Sequence, residues 1–184
     1  MHAASKRCMH QIRNRLALGL LGGAAGLLVM EIVRRATAPL ISRAPRPTDL
    51  WSTERTISLI GPQHRRDESS TDALGRLVYA TVTGREPSPG AKRALSWTVH
   101  VGYGLLVAAG YVALRGGRAR HALRDGVVFG AGLWLLGDEL AVPLLGLADK
   151  PAAYRPSRHA QSLAQHLGFG IATAATTHAV GDWR

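Results

Sequence analysis

The sequence predicts an all-α protein: a four-helix transmembrane bundle with a short surface amphipathic helix between spans one and two. Three observations lead there. First, four stretches approach the ~20 mostly apolar residues that a helix needs to cross ~30 Å of hydrocarbon. They are LALGLLGGAAGLLVMEIV (16–33), ALSWTVHVGYGLLVAAGYVAL (94–114), GVVFGAGLWLLGDELAVPLLGL (126–147) and AQSLAQHLGFGIATAATTHAV (160–180). Second, charge is segregated into residues 1–15, 34–93, 115–125 and 149–158, so the mean hydropathy of +0.01 averages two unlike kinds of sequence. Third, the net charge is +11, and all but three of the 23 basic residues are arginines that flank the apolar stretches. That placement suits a lipid headgroup region.

The 184 residues are read as a single integral membrane domain. Its partner is the lipid bilayer, and no cofactor is called for. Nucleic acid is excluded as a partner: there is no zinc-finger spacing, no aromatic RNP-like run and no basic heptad helix. The lone cysteine, Cys8, excludes an intrachain disulfide framework and a Cys-based zinc site. A homo-oligomer or an unidentified protein partner is left open.

Span one follows a basic N-terminus, and Ala36-Thr37-Ala38 imitates a signal-peptidase site. The apolar stretch is long, Glu31 interrupts its end and Pro39 would follow the cut, so the segment reads as a retained helix. Gly19/Gly23, Gly22/Gly26 and, in span three, Gly126/Gly130 are GxxxG pairs, which let helix backbones approach closely. Packing within one bundle is favoured over a dimer seam.

The polar connection 34–93 is broken by APRPTD (44–49), GPQHRRDESS (61–70) and REPSPG (85–90). Within it, TDALGRLVYATV (71–82) has apolar residues at 74, 77, 78 and 82. That is helical spacing, with Ser70 or Thr71 as N-cap, and it predicts an amphipathic helix at the membrane surface.

Span two is followed by RGGRARHALRD (115–125), which carries four arginines. The N-terminus carries Lys6, Arg7, Arg13 and Arg15. Short basic loops stay in the cytoplasm, so both termini are placed there, in a multi-pass inner-membrane protein. Arg34, Arg35, Arg43 and Arg46 argue the other way. Span three contains Asp138 and Glu139, and Pro143, which cannot donate to the carbonyl of Glu139. Span four, rich in Ala, Thr and Gly, is the weakest by hydropathy. Its Ser162, His166, Gly170, Thr173 and Thr177 form a small, polar stripe.

Ionisable residues inside spans are costly, so they face the bundle interior or water. At about 1.5 Å per residue, His100 and His166 lie about 9 Å inside spans two and four, Glu139 about 12 Å and Glu31 about 5 Å from their span ends. With four spans all these ends share one side. Glu31, His100, Asp138, Glu139 and His166 are therefore the candidate polar cluster, in the outer leaflet half, while His178 falls near the other side. Two readings follow: an unknown activity that handles protons or cations through this cluster, or a structural or accessory subunit in which the same residues lock helices together. A third, an intramembrane metal hydrolase using two His and two acids, is weaker. No HExxH, GxSxG or Ser/Lys signature is present, and no catalytic residue is assigned.

VHVGYG (99–104), the basic loop, DGVVFGAGLW (125–134), PLLGL (143–147) and AQHLGFG (164–170) together resemble the YagU-like family of bacterial inner-membrane proteins. His100, Pro143, Gly146 and His166 match that pattern, as does a first span that ends in an acid, Glu31, before the Pro-rich APRPTD. The resemblance covers about half of the chain. The Asp138-Glu139 pair departs from it. The resemblance implies an integral inner-membrane location and little about activity.

Overall fold

The computed structural model describes residues 2–42, 56–65, 68–115 and 121–181, and the side chains there except at 2–8, 42 and 181. APRPTD with Arg43 and Arg46, the loop arginines Arg118 and Arg120, and the Cys8 side chain lie outside the described residues. The all-α expectation holds, with no strand among the described residues. The helices are α1 (His2–Ser42), α2 (Ser70–Thr83), α3 (Pro89–Arg115), α4 (Ala122–Leu133), a one-turn α5 (Val142–Leu144) and α6 (Pro156–Gly181). A π-helical stretch, Trp134–Ala141, joins α4 to α5, and a 3-10 turn, Pro151–Ala153, precedes α6.

The chain divides into two compact units. The first comprises Met1–Pro39, Tyr103–Gly132 and Gln161–Arg184; the second, Leu40–Gly102 and Leu133–Ala160.

In the first unit, α1, the C-terminal part of α3, α4 and α6 pack in antiparallel succession, and glycine makes the close approaches of α1 to α3, α1 to α6 and α4 to α6. A Cβ on Gly19 would lie 2.5 Å from Ala109 Cα, and one on Gly23 2.8 Å from Ala108 Cβ, so the first GxxxG pair seats α1 on α3. Gly22 and Gly26 face Thr173, Thr177 and Phe169 of α6 on the neighbouring stripe of α1. Gly126 meets Ile171 of α6 at 2.5 Å by the same measure. Tyr111 of α3 stacks on Phe129 of α4 with centroids 4.1 Å apart, and Phe129 reaches Phe169 of α6 at 5.8 Å. Arg115 Nη1 pairs with Asp125 Oδ2 at 2.8 Å, joining the ends of α3 and α4. All three predicted GxxxG pairs are thus spent inside the chain.

The first unit is inside-out relative to a water-soluble core. Ala108, Thr173 and Ala174 are fully buried and Phe169 nearly so, whereas Leu28, Ile32, Leu106 and Val128 are 68%, 65%, 71% and 65% exposed. Small residues inside and large aliphatics outside are what helices need when lipid covers the outer face.

Among the described residues three helices, not four, are long and apolar enough to cross a membrane: Met9–Ile41, Pro89–Arg115 and Ala122–Leu144. The fourth predicted span is a helix of 26 residues, α6, but does not meet that hydropathy. The reason lies in its packing. Against α1 and α4 it presents Gly168, Gly170, Thr173 and Thr177. Backbone-close packing on two sides takes small residues, which lower hydropathy.

In the second unit, α2 packs on α3 through Gly75, where an added Cβ would sit 3.0 Å from Leu95 Cβ, and through a 2.9 Å bond between the Thr71 and Ser96 hydroxyls. The predicted helix 71–82 is present, but its N-cap is Ser69, not the expected Ser70 or Thr71. Ser69 Oγ accepts from the Asp72 N–H and Asp72 Oδ2 accepts from the Ser69 N–H, a capping box. The helix closes on Gly84 in the left-handed region at φ 68°. Its buried face is Ala73, Gly75 and Arg76, while the apolar stripe Leu74, Val78 and Val82 is turned outward.

Candidate functional site

The two acids of GDELAVP stand in the π-helical stretch Trp134–Ala141. Span three was expected as one helix to residue 147, disturbed at the Glu139 carbonyl by Pro143; the disturbance takes the form of a widened, π-helical turn. Pro143 accounts for this. Its ring presses on the carbonyl four residues back, that of Glu139, and it has no N–H to return to the preceding turn. A wider turn moves that carbonyl away, and the Val142 N–H accordingly bonds Gly137 O, five residues back. Such insertions recur at functional sites because they re-aim side chains within a continuous helix.

Glu139 is aimed at the start of α6. His159 Nδ1 lies 2.6 Å from Glu139 Oε1, and His159 Nε2 lies 3.0 Å from the carbonyl of Pro151 in the 3-10 turn. The His159 and Glu139 side chains are 26% and 17% exposed. Tyr154 sets its ring against the His159 ring at 73°, and the Arg158 guanidinium lies 4.9 Å above Tyr154.

Both ring nitrogens of His159 therefore face acceptors. A carbonyl only accepts, so Nε2 carries a proton. An ionised carboxylate also only accepts. The short contact at Nδ1 then needs a proton as well, held either on the imidazole or on Glu139. The arrangement is fully hydrogen-bonded when the pair holds one proton more than a neutral imidazole beside a carboxylate. Losing that proton leaves two lone pairs facing each other at hydrogen-bonding distance.

The other predicted residues are held differently. Glu31 is forked by residues of its own helix: Arg34 Nε and Nη2 donate to it at 2.6 and 2.7 Å, and Arg35 Nε at 2.6 Å. His166 Nδ1 lies 2.9 Å from the carbonyl of Ser162, one turn back on α6. His100 stands edge-on to Trp97 with centroids 6.4 Å apart. Asp138 lies beside Glu139 in the π-helical stretch. The partner that Glu139 takes, His159, is outside the predicted five. Among the described residues, no group of three or more His, Cys, Asp or Glu is placed to hold a metal ion, so the hydrolase reading has no ligand set there.

The second unit also buries an ion network that sequence reading missed. The Glu68 side chain is 1% exposed and pairs with Arg76 Nε at 2.9 Å and Lys92 Nζ at 2.7 Å. The Arg65 N–H also donates to Glu68, and Arg76 Nη2 donates to the Gln63 carbonyl at 2.6 Å. Burial alone would raise the Glu68 pKa, but the bonds from Arg76, Lys92 and the Arg65 backbone prevail and hold it at about 2. The network fastens the segment before α2 onto α2 and α3. Glu68 and Arg76 are eight residues apart in a charge-rich stretch, and nothing in that spacing separates a buried pair from a solvated one.

No protein-family model, curated protein or solved structure matches the chain.

Proposed function

We propose that the protein is a multi-pass inner-membrane protein that binds and exchanges a proton at the Glu139–His159 pair. α1, α3, α4 with its π-helical continuation, and α6 would cross the bilayer, with both termini in the cytoplasm. The carrying observation is the placement of both His159 ring nitrogens against acceptors, one of them a carboxylate in a candidate membrane span. Imidazole is the side chain whose ordinary range brackets neutral pH, so this pair is suited to proton handling. The fourth crossing is supported by the length of α6: 26 residues at about 1.5 Å each exceed ~30 Å. The YagU-like motifs of the second half point to the same location.

The Leu74, Val78 and Val82 stripe of α2 supports a helix that lies in the headgroup region. Its apolar side is turned away from the protein, which suits lipid contact.

The structural-subunit alternative draws on Glu31, which bonds Arg34 and Arg35 of its own helix, and on His166, which bonds the Ser162 carbonyl one turn back. Infrared difference spectroscopy on the reconstituted protein, titrated from about pH 4 to about pH 10 across the histidine range, separates the readings. The wild type should show a deprotonation with imidazole or carboxyl bands that belongs to this pair. Glu139→Gln and His159→Gln should each delete it while retaining helical circular dichroism. A wild-type titration that neither variant alters would leave the pair as helix glue.

A further inference from the structure

A second histidine repeats this arrangement on separate atoms. Residues 56–65 lie along the turn that ends span three. The Leu59 N–H donates to Leu144 O at 3.0 Å, and the Gln63 and His64 N–H groups donate to Gly146 O at 2.8 and 3.0 Å. Ser58 Oγ bridges Gly61 O and Leu144 O. Gly146 permits the contact because it takes φ 70° and because any Cβ there would collide with Gly61 O and Ser58 Oγ. His64 then closes the join: its Nδ1 is 2.8 Å from Gly146 O and its Nε2 is 3.2 Å from Asp149 Oδ1.

We infer that His64 and Asp149 form a second proton-binding site, independent of Glu139–His159, whose bound proton latches segment 56–65 onto the turn 144–149. The donor count is the same. Gly146 O demands a proton on Nδ1, and the Asp149 carboxylate demands a second one on Nε2 or on itself. Among the described residues that follow His64, Glu68 is held by Arg76 and Lys92, and Arg65 by Glu86. From the turn side, Asp149 is the carboxylate that meets His64; its backbone N–H donates to the Tyr154 hydroxyl, and Lys150 follows it in sequence. The His64 and Asp149 side chains are 13% and 24% exposed, so solvent protons reach a site that is nonetheless mostly covered. Loss of the proton removes one of the ring contacts and turns it repulsive. The latch is therefore closed at low pH and weakens as pH rises through the titration of the pair.

Hydrogen exchange of peptides covering 56–65 tests this in the full-length protein in lipid nanodiscs, after correction for the intrinsic pH dependence of exchange. Wild-type protection should fall above a threshold pH, by up to about tenfold per pH unit, the slope set by one proton. His64→Gln should remove the pH step. Asp149→Asn should move the step to lower pH, because the imidazolium loses its carboxylate. Glu139→Gln should leave the step in place, which separates this site from the first. Protection that is flat with pH in the wild type, or a step that survives unchanged in both His64→Gln and Asp149→Asn, would overturn the latch. If His64→Gln fails to fold, the direction of the Asp149→Asn shift decides alone.

Discussion

At Gly26 the first unit has no room. A Cβ there would stand 2.5 Å from Thr173 Oγ1 and 2.7 Å from the Phe169 ring, so Gly26→Val should cost about 1–3 kcal/mol, as overpacking does. Thermal unfolding in detergent reads this directly. Thr173 itself is fully buried, and its hydroxyl has no hydrogen-bond partner among the described residues. Its neighbour across the interface is the Gly26 Cα–H side, a weak donor at best. Thr173→Val keeps the shape and removes an unsatisfied polar group, so it should be neutral or stabilising in the same melt. A clear loss would mean that the hydroxyl bonds something the protein alone does not supply. The buried Glu68 makes the opposite case. Arg76→Leu strips its main partner and should cost about 3 kcal/mol, the low end for a broken buried pair because Lys92 remains. The same network sets a pH response. The Glu68 pKa is lowered in the folded protein, so its stabilisation is complete above about 4.5 and is lost as pH falls from there toward about 2. Acid unfolding midpoints should therefore move to higher pH when Arg76 is replaced.

Helices α1 to α4 were legible as elements because each has a clear apolar period or a long apolar run. What a helix faces was less so. For α2 the apolar spacing 74, 77, 78, 82 was readable, with 74, 78 and 82 exposed and 77 half-buried, yet Ala73, Gly75 and Arg76 form the buried face, because Gly75 is the position that lets α2 lie on Leu95. Spin labels at Val78 and Val82 should respond more strongly to oxygen than to a water-soluble nickel complex in liposomes. The reverse ranking would place α2 in water. Pro143 announced a disturbance after Glu139, but the sequence does not specify its form, since a kink and a π-helical widening answer the same missing N–H. Pro143→Ala restores the donor and should shift the π-helical stretch Trp134–Ala141 toward ordinary α-helical pairing, weakening the Glu139–His159 contact. His159 was missed because it stands between the polar 149–158 stretch and the predicted span 160–180, where a histidine reads as interfacial; only the fold brings it to Glu139. The five residues singled out from depth alone share a level by helix arithmetic, and that arithmetic carries no information about which way each ring or carboxylate turns.

For the whole molecule, the sequence reading rested on four apolar runs, and three of them form helices long and apolar enough to cross a membrane. The fourth, α6, has traded hydropathy for Gly168, Gly170, Thr173 and Thr177, the residues that admit α1 and α4. Hydropathy counts side chains and does not see neighbours, so a helix covered on two sides is underrated by it. The assignment of both termini to the cytoplasm, and with it the environment proposed for Glu139 and His159, depends on α6 crossing. The decisive measurement is thiol labelling with a membrane-impermeant maleimide in spheroplasts. It compares native Cys8 with Ser157→Cys and Asp182→Cys, each made in a Cys8→Ser background. Labelling of Ser157→Cys in intact spheroplasts, with Cys8 and Asp182→Cys labelled only after permeabilisation, is the predicted result. Labelling of Ser157→Cys and Asp182→Cys from the same side would show that α6 does not cross, and would contradict the four-crossing membrane protein proposed here.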